Sequence, residues 1–325
     1  PDEVLAARTA AVQPDDVASI QFTSGTTGKP KGVMLTHRNM VLNAHHTALA
    51  QKITERDRFV MMGPMFHCAP NVLISLCAVT RGATIVPLEQ YDPRLVLEAI
   101  QRERITVING APTMFVQVLQ HPDFEQYDLS SLRVIQSGGQ RLQPEIRLRT
   151  QQLIPNAIVQ ENFGMAEGLL MFVRLDDPEE VRLYTEGRPI CPDDEVRLVD
   201  DEDNEVPFGE VGEMCCRGPY TLRGYYGVPE YNARAFTTDG FYRTGDLMRQ
   251  HPSGNFIVEG RKKDLINRGG EKISAEEIEN LILGHPAVQN VACIPMPDPV
   301  LGERMCACVI LRPGHTLTFD ELVQY

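Results

Sequence analysis

Residues 23–32 read Thr-Ser-Gly-Thr-Thr-Gly-Lys-Pro-Lys-Gly (TSGTTGKPKG). Three glycines let the backbone approach an anion closely, and consecutive N–H groups in such a turn form an anion-binding nest. The hydroxyls of Thr23, Ser24, Thr26 and Thr27 and the two lysines, Lys29 and Lys31, add donors that follow a phosphate chain. A Walker A loop fails on spacing, because Pro30 holds the place of the second glycine counted from Gly25. Gly139 likewise opens no G-x-G-x-x-G fingerprint. The bland alternative is a flexible surface loop.

Working outward, residues 17–22 read as a short strand before the loop and residues 37–53 as a helix after it, with Thr36 or Asn39 as its cap. Strands are expected at 83–87, 106–109 and 133–137, and helices at 93–103 and 112–119, each with Pro near the first turn. This alternation implies βα units around a largely parallel sheet. From residue 185 the texture changes to short strands, among them 195–199 and 211–216, broken by Gly, Pro and Asp clusters. Ser274-Ala-Glu-Glu277 is a capping box that opens a helix, followed by strands at 288–295 and 305–311. The fold class is therefore α/β: a large N-terminal domain of βα layers at 1–184, a β-rich subdomain at 185–260, and a small α+β C-terminal domain at 261–325.

A formal net charge of −13 argues against a protein that grips a nucleic-acid backbone. The eight cysteines form no C-x-x-C pair, which argues against a zinc site. No apolar run is long enough to span a bilayer and no leader pattern opens the chain, so a cytoplasmic location is expected.

Four more motifs follow residues 23–32 in order: Ser137-Gly-Gly139, Asn162-Phe-Gly-Met-Ala-Glu167, Tyr242-Arg-Thr-Gly-Asp246 and Gly260-Arg-Lys-Lys-Asp-Leu-Ile-Asn-Arg-Gly-Gly-Glu-Lys272. The set resembles the adenylate-forming (AMP-binding) superfamily of acyl- and aryl-CoA synthetases and nonribosomal-peptide adenylation enzymes. The resemblance implies ATP- and Mg²⁺-dependent activation of a carboxylic acid as its acyl-adenylate. It further implies transfer to a pantetheine thiol, that of CoA or of a phosphopantetheinyl carrier protein. On that resemblance Thr23, Ser24, Gly25, Thr26, Thr27, Gly28 and Lys31 would bind phosphate. Gly138, Gly139, Gln140, Asn162, Phe163 and Gly164 would bind adenine, and Asp246 and Arg261 the ribose. Glu167 would hold Mg²⁺, which takes hard oxygen ligands. Lys263 would be the hinge of a mobile C-terminal domain, with Gly269 and Gly270 along the thiol tunnel.

The second half is similar to one branch, the 2,3-dihydroxybenzoate– and salicylate–AMP ligases. The stretches that carry this are Gly164-Met-Ala-Glu-Gly168, Leu175-Asp-Asp-Pro-Glu-Glu180, Arg217-Gly-Pro-Tyr-Thr221, Arg223-Gly-Tyr-Tyr226 and Asn267-Arg-Gly-Gly-Glu-Lys272. His67, Cys68, Leu73 and Gly138 would then line the acid pocket. Cys68 stands where that branch carries Asn and Leu73 where it carries a small polar residue, which points to a less hydroxylated aromatic or related cyclic acid. Two alternatives are a medium-chain or fatty acyl-CoA synthetase and, in another class, a nucleotide-binding fragment or degenerate relative. The second arises because the family's catalytic Lys has no counterpart here: Lys272 is the last lysine, and an internal segment of a longer protein is expected.

Overall fold

The computed structural model describes residues 2–23, 30–269 and 271–325. Backbone contacts gather the chain into two units. One comprises Pro1–Val196, Cys216–Tyr242 and His251–Phe256, the other Arg197–Cys215, Arg243–Gln250 and Ile257–Tyr325. The regions expected from the sequence follow one another; the contact units interleave.

In the first unit, β1 (Val17–Phe22) and β2 (Gly32–Thr36) pair antiparallel, with Phe22 opposite Gly32, so residues 23–32 are held at both ends. Behind β2 comes the helix His37–Ala50. Of the two expected caps both take part: Thr36 Oγ1 accepts from the Asn39 N–H at 3.1 Å, and Asn39 Oδ1 accepts from the Thr36 N–H at 2.9 Å.

This unit also holds a seven-stranded sheet. Its strands are β3 (Arg58–Met61), β4 (Thr84–Pro87), β5 (Val107–Gly110), β6 (Val134–Gly138), β7 (Ile158–Gly164), β8 (Leu170–Phe172) and β9 (Arg188–Pro189). They lie in the order β4-β3-β5-β6-β7-β8-β9. Pairing is parallel from β4 through β7 and antiparallel for β8 and β9. The largely parallel sheet expected from the βα alternation is thus present. β3, β7 and β8 were not foreseen. β7 carries Gln160, Glu161 and Asn162 in its middle, all buried, and so lacks the apolar signature of an inner parallel strand.

Alternation along the strands divides the core. Val60, Ile108, Ile135 and Val159 face one side and pack on Val96, Leu97, Ile100 and Phe115. Phe59, Met61, Val107 and Val134 face the other, against Ala48, Ile74 and Cys77. The helix Pro93–Glu103 shows why these residues fold so. Asp92 caps it by accepting from Arg94 N at 2.8 Å, Pro93 opens it, and Val96, Leu97, Ala99 and Ile100 form its buried stripe. Burying each such Leu or Ile contributes about 2 kcal/mol.

The second unit holds most of a four-stranded sheet, β10 (Glu195–Val199), β11 (Val211–Arg217), β12 (Tyr242–Gln250) and β13 (Phe256–Arg261), in that order. A second sheet, ordered β15-β14-β17-β16, uses β14 (Leu265–Arg268), β15 (Glu271–Ser274), β16 (Val288–Asp298) and β17 (Gly302–Leu311). The helix Ala275–Leu283, capped by Ser274, lays Ile278 and Ile282 on Ile266, Val288 and Val291. Among the described residues no helix is long and apolar enough to cross a membrane.

At the opposite end of the parallel strands from their glycine-bearing ends, one buried carboxylate ties three of them together. Asp57 accepts from Arg133 Nε at 2.7 Å and Nη2 at 2.9 Å, from Thr106 Oγ1 at 2.7 Å and from Thr54 N at 2.8 Å. Burial alone would raise its pKa, but the bonds from Arg133, Thr54 and Thr106 outweigh it and hold the carboxyl below its ordinary range. Asp57→Asn is expected to lower unfolding stability at pH 7 by about 2 kcal/mol in urea titration. Because the folded pKa is depressed, that difference is fully present above the unfolded pKa near ~4 and shrinks as pH falls through the folded value.

Candidate nucleotide and acid site

Three parallel strands end in polar or glycine residues at their C-terminal edge: Asn109-Gly110 on β5, Ser137-Gly138 on β6 and Asn162-Phe163-Gly164 on β7. This edge is where open α/β sheets take ligands. Gly138 lies opposite Asn162, and a Cβ on Gly138 would come 1.8 Å from Asn162 Oδ1. Only glycine lets that amide lie across the strand end. Asn162 Oδ1 also accepts from Gln136 Nε2, so its side chain is engaged within the sheet. Gly139 and Gln140 are exposed, with open space over Gly139; Phe163 is half-buried and Gly164 exposed.

Two buried groups at this edge lack partners. Ser137 Oγ and both amide atoms of Asn109 make no hydrogen bond, although Asn109 is 8% exposed. An orphaned buried amide costs free energy unless something fills its bonds. Asn109 shares its strand face with Val107, hence with the π-helical segment Ala69–Leu76 that packs there through Ile74. Sequence reasoning missed Asn109; an Asn inside a strand read as apolar was the available signal.

The acid-pocket candidates sit at the start of that segment. His67 is exposed, and its Nδ1 accepts from the Ala69 N–H at 3.3 Å and lies 3.9 Å from Cys68 Sγ. Cys68 is half-buried, and burial pushes its thiol above the usual range. Leu73 is buried beside Val72, Leu170, Phe172 and Tyr220.

Glu167 is the most firmly arranged acidic group of the set. Tyr225 donates its hydroxyl to Glu167 Oε1 at 2.8 Å and lies 2.8 Å from the Tyr242 hydroxyl. Burial first and the Glu167 charge second push the Tyr225 phenol well above its ordinary pKa, so it stays a donor. The backbone around Glu167 is pinned too: its carbonyl accepts from Leu222 N at 2.8 Å, and the Gly168 carbonyl from Asn43 Nδ2 at 3.3 Å. Gly168 has φ +131°, and a Cβ there would meet the Tyr220 carbonyl oxygen at 1.9 Å. Lys31 joins this group, its Nζ 4.3 Å from the Tyr231 ring centroid and 5.9 Å from that of Tyr225. Thr23 is tied across the loop base, its N–H donating to the Lys31 carbonyl at 3.0 Å. Ser24, Gly25, Thr26, Thr27 and Gly28 lie outside the described residues, as does Gly270.

Among the described residues no group of three His, Cys, Asp or Glu side chains is gathered for a metal. The donor set at Glu167 fits Mg²⁺ all the same, since that ion is commonly held by one or two carboxylates plus substrate phosphates. A hard carboxylate oxygen fixed by a phenol would serve as such a ligand.

In the second unit Asp246, 4% exposed, pairs through Oδ1 with Arg261 Nε at 2.8 Å. Its N–H donates to Thr244 Oγ1 at 3.0 Å. Lys262 Nζ binds Asp201 Oδ1 at 2.9 Å and Glu213 Oε2 at 3.0 Å, just before the exposed Lys263. Gly269 turns with φ +62° and donates its N–H to the Leu301 carbonyl at 2.8 Å.

An open parallel sheet with glycines and unpartnered polar groups at its strand ends has the layout of a ligand-binding α/β protein. The chain belongs to the AMP-binding enzyme family, which it matches over residues 2–226, with that family's C-terminal domain matched over residues 277–325. It is 45% identical over 306 residues to pyochelin synthase PchD of Pseudomonas aeruginosa, covering 93% of this chain and 55% of that protein. It is 43% identical over 323 residues to a Streptomyces salicylyl-CoA synthase / salicylate adenylyltransferase, covering 97% of this chain and 58% of that one. ATP-bound MatB from Rhodopseudomonas palustris superimposes with a TM-score of 0.89 at 29% identity, over 96% of this chain and 61% of that chain. The chain thus spans somewhat more than half the length of the curated relatives it matches.

The glycines yield a contrast. Gly168→Ala is expected to cost more than ~3 kcal/mol, because strain at positive φ adds to a clash with backbone. Gly139→Ala, with φ +87° but open space, is expected to cost about 1 kcal/mol. Urea unfolding of the two variants checks the order.

Proposed function

We propose that the whole protein activates an aromatic or related cyclic carboxylic acid as its acyl-adenylate, using ATP and Mg²⁺, and passes the acyl group to a pantetheine thiol. The observation that carries this reading is the Glu167 carboxylate, fixed by Tyr225 beside Lys31 at the base of residues 23–32. Bound there, Mg²⁺ would neutralise phosphate charge. Lys31 and the hydroxyls and N–H groups of residues 23–28 orient the triphosphate. Gly138, Gly139 and Gln140 supply a flat backbone surface for adenine, with the half-buried Phe163 as an aromatic wall. Asp246 and Arg261 are assigned to the ribose hydroxyls, and Lys263 to the hinge, since the two residues before it are anchored.

A carboxylate oxygen of the acid attacks the α-phosphorus, and the bond to pyrophosphate breaks. The thiol sulfur then attacks the acyl carbon and AMP leaves. The thiol belongs to CoA or to a carrier protein, with residues 269–270 assigned to its approach.

The acid pocket reads as largely apolar with one amide. Cys68 and Leu73 offer no strong hydrogen bond, whereas Asn109 offers both a donor and an acceptor. That suits a ring acid with one polar substituent. One relative is itself named for salicylate.

Acid-dependent ATP–pyrophosphate exchange tests the reading across benzoate, salicylate, 2,3-dihydroxybenzoate, cyclohexanecarboxylate and octanoate. Exchange with ring acids above octanoate is expected; exchange with octanoate alone, or with none of them, overturns it. Asn109→Leu is expected to lower kcat/KM for salicylate about tenfold while leaving benzoate nearly unchanged. Supplying CoA or a pantetheinylated carrier to the preformed adenylate identifies the acceptor.

A further inference from the structure

Behind the Gly138–Gly139 edge lies a buried charge network that the proposed chemistry does not use. Leu142 ends the loop that leaves β6, and its side chain is in the core at 1% exposure. Side chains take both of its backbone polar groups. Its N–H donates to Glu161 Oε1 at 3.1 Å, and its carbonyl accepts from Arg147 Nε at 3.1 Å. Glu161 and Arg147 are themselves 1% and 2% exposed and pair at 3.2 Å between Oε2 and Nη2. Arg147 Nη1 reaches on to the carbonyls of Arg182 and, at 2.9 Å, Leu183. Next door Arg141 pairs with the buried Glu186 at 3.1 Å.

Such a pair is not there for stability alone. Desolvating two charges offsets most of their attraction, and apolar residues of the same volume often serve as well. What apolar residues could not do is bond the Leu142 N–H and carbonyl, which would otherwise be orphaned in the core. The pair also joins three elements. Glu161 is on β7, next to Asn162; Arg147 is on the helix Pro144–Leu153; Leu142 is in the loop between β6 and that helix. Burial pushes the Glu161 carboxyl upward while Arg147 opposes it, which marks how far the group is removed from water.

We propose that Glu161 and Arg147 are positioning residues, which clamp Leu142 at both backbone groups and so hold residues 138–140 in the geometry that receives the nucleobase. A loop fixed before the ligand arrives loses less freedom on binding, so the clamp acts on ATP affinity rather than on the chemical step. The clamp rests on the nucleobase reading of residues 138–140, and the experiment separates the two.

ATP binding to the full-length protein is measured by titration calorimetry for the wild type, Glu161→Gln, and the charge-balanced double variant Arg147→Met/Glu161→Leu. Glu161→Gln keeps an acceptor for the Leu142 N–H, and its affinity is expected to stay within about threefold. The double variant is expected to bind ATP on the order of tenfold more weakly. In pyrophosphate exchange it should show a raised KM for ATP, with kcat and the KM for the acid unmoved. Wild-type affinity in a folded double variant overturns the clamp alone; a wild type that binds no ATP overturns the nucleobase reading and the clamp with it. Hydrogen exchange on the wild type decides the matter even where the double variant does not fold. Leu142 is expected to exchange far more slowly than Gln140 without nucleotide, and equal rates overturn the clamp.

Discussion

Polar side chains buried along β5, β6 and β7 set the terms for the rest of the first unit. A sheet covered on both faces holds no water to satisfy them, so each must find a protein partner or await a ligand. Gln136 turns to Asn162, Gln160 to the Val173 carbonyl at 2.9 Å, and Glu161 to the Leu142 N–H and Arg147. Asn109 and Ser137 are left over, as is Gln160 Oε1. The satisfied groups stiffen the strand ends, because breaking any one of them strands its partner at a cost of about 1–3 kcal/mol. Those of Asn109 and Ser137 lie at the edge where open α/β sheets take ligands. Partnered and unpartnered polar groups therefore stand side by side on neighbouring strands.

Tyr225 plays the matching part on the loop side. Its hydroxyl holds Glu167 and meets Tyr242, its backbone is bonded by Asn232, and its ring lies near Lys31. A phenol whose pKa is driven up by burial cannot lose its proton to the carboxylate it serves. One oxygen of Glu167 is thus fixed by a donor that keeps its proton. Its position is secured from behind by the close approach of Gly168 to the Tyr220 carbonyl, which no other residue would allow.

Much of the fold was legible because its signals are local. Asp92-Pro93 and Ala111-Pro112 announce helix starts within two residues, and the helices observed at Pro93–Glu103 and Pro112–Leu119 have the expected bounds. The strands β5, β6, β10 and β11 fall within a residue of expectation, being short apolar runs between turn signals. β7 was hidden because its polar residues are paid for by partners far along the chain, Arg147 and Gln136 among them, and no local pattern reports such a partner. The resemblance assigned residues 138–139 to adenine; the structure adds the close approach of Gly138 to Asn162. Asn109 went unnoticed, and Tyr225, though inside a quoted stretch, was given no role, since one is defined by what it lacks and the other by what it touches in space. The family, by contrast, was readable from motif order alone, which needs no geometry.

The charges around residues 261–264 give the proposed hinge its physical footing. Arg261 is fixed by Asp246, and Lys262 by Asp201 and Glu213, all within the second unit. Arg261 is 45% exposed, so its pair with Asp246 is screened and worth at most about 1 kcal/mol. Lys262 is 40% exposed but shares two carboxylates, one of them nearly buried, and so resists displacement more than a lone surface pair. Lys262 also opens a single 3₁₀ turn, Lys262–Asp264, the kind of short element that absorbs dihedral change without breaking a longer ladder. Backbone rotation there leaves β13 anchored by its last residues on one side and β14 paired with β15 on the other. A rotation placed further back would have to break the Lys262 bonds, and one placed further on would have to unpair β14. The proposed hinge at Lys263 lies between these two sets of bonds.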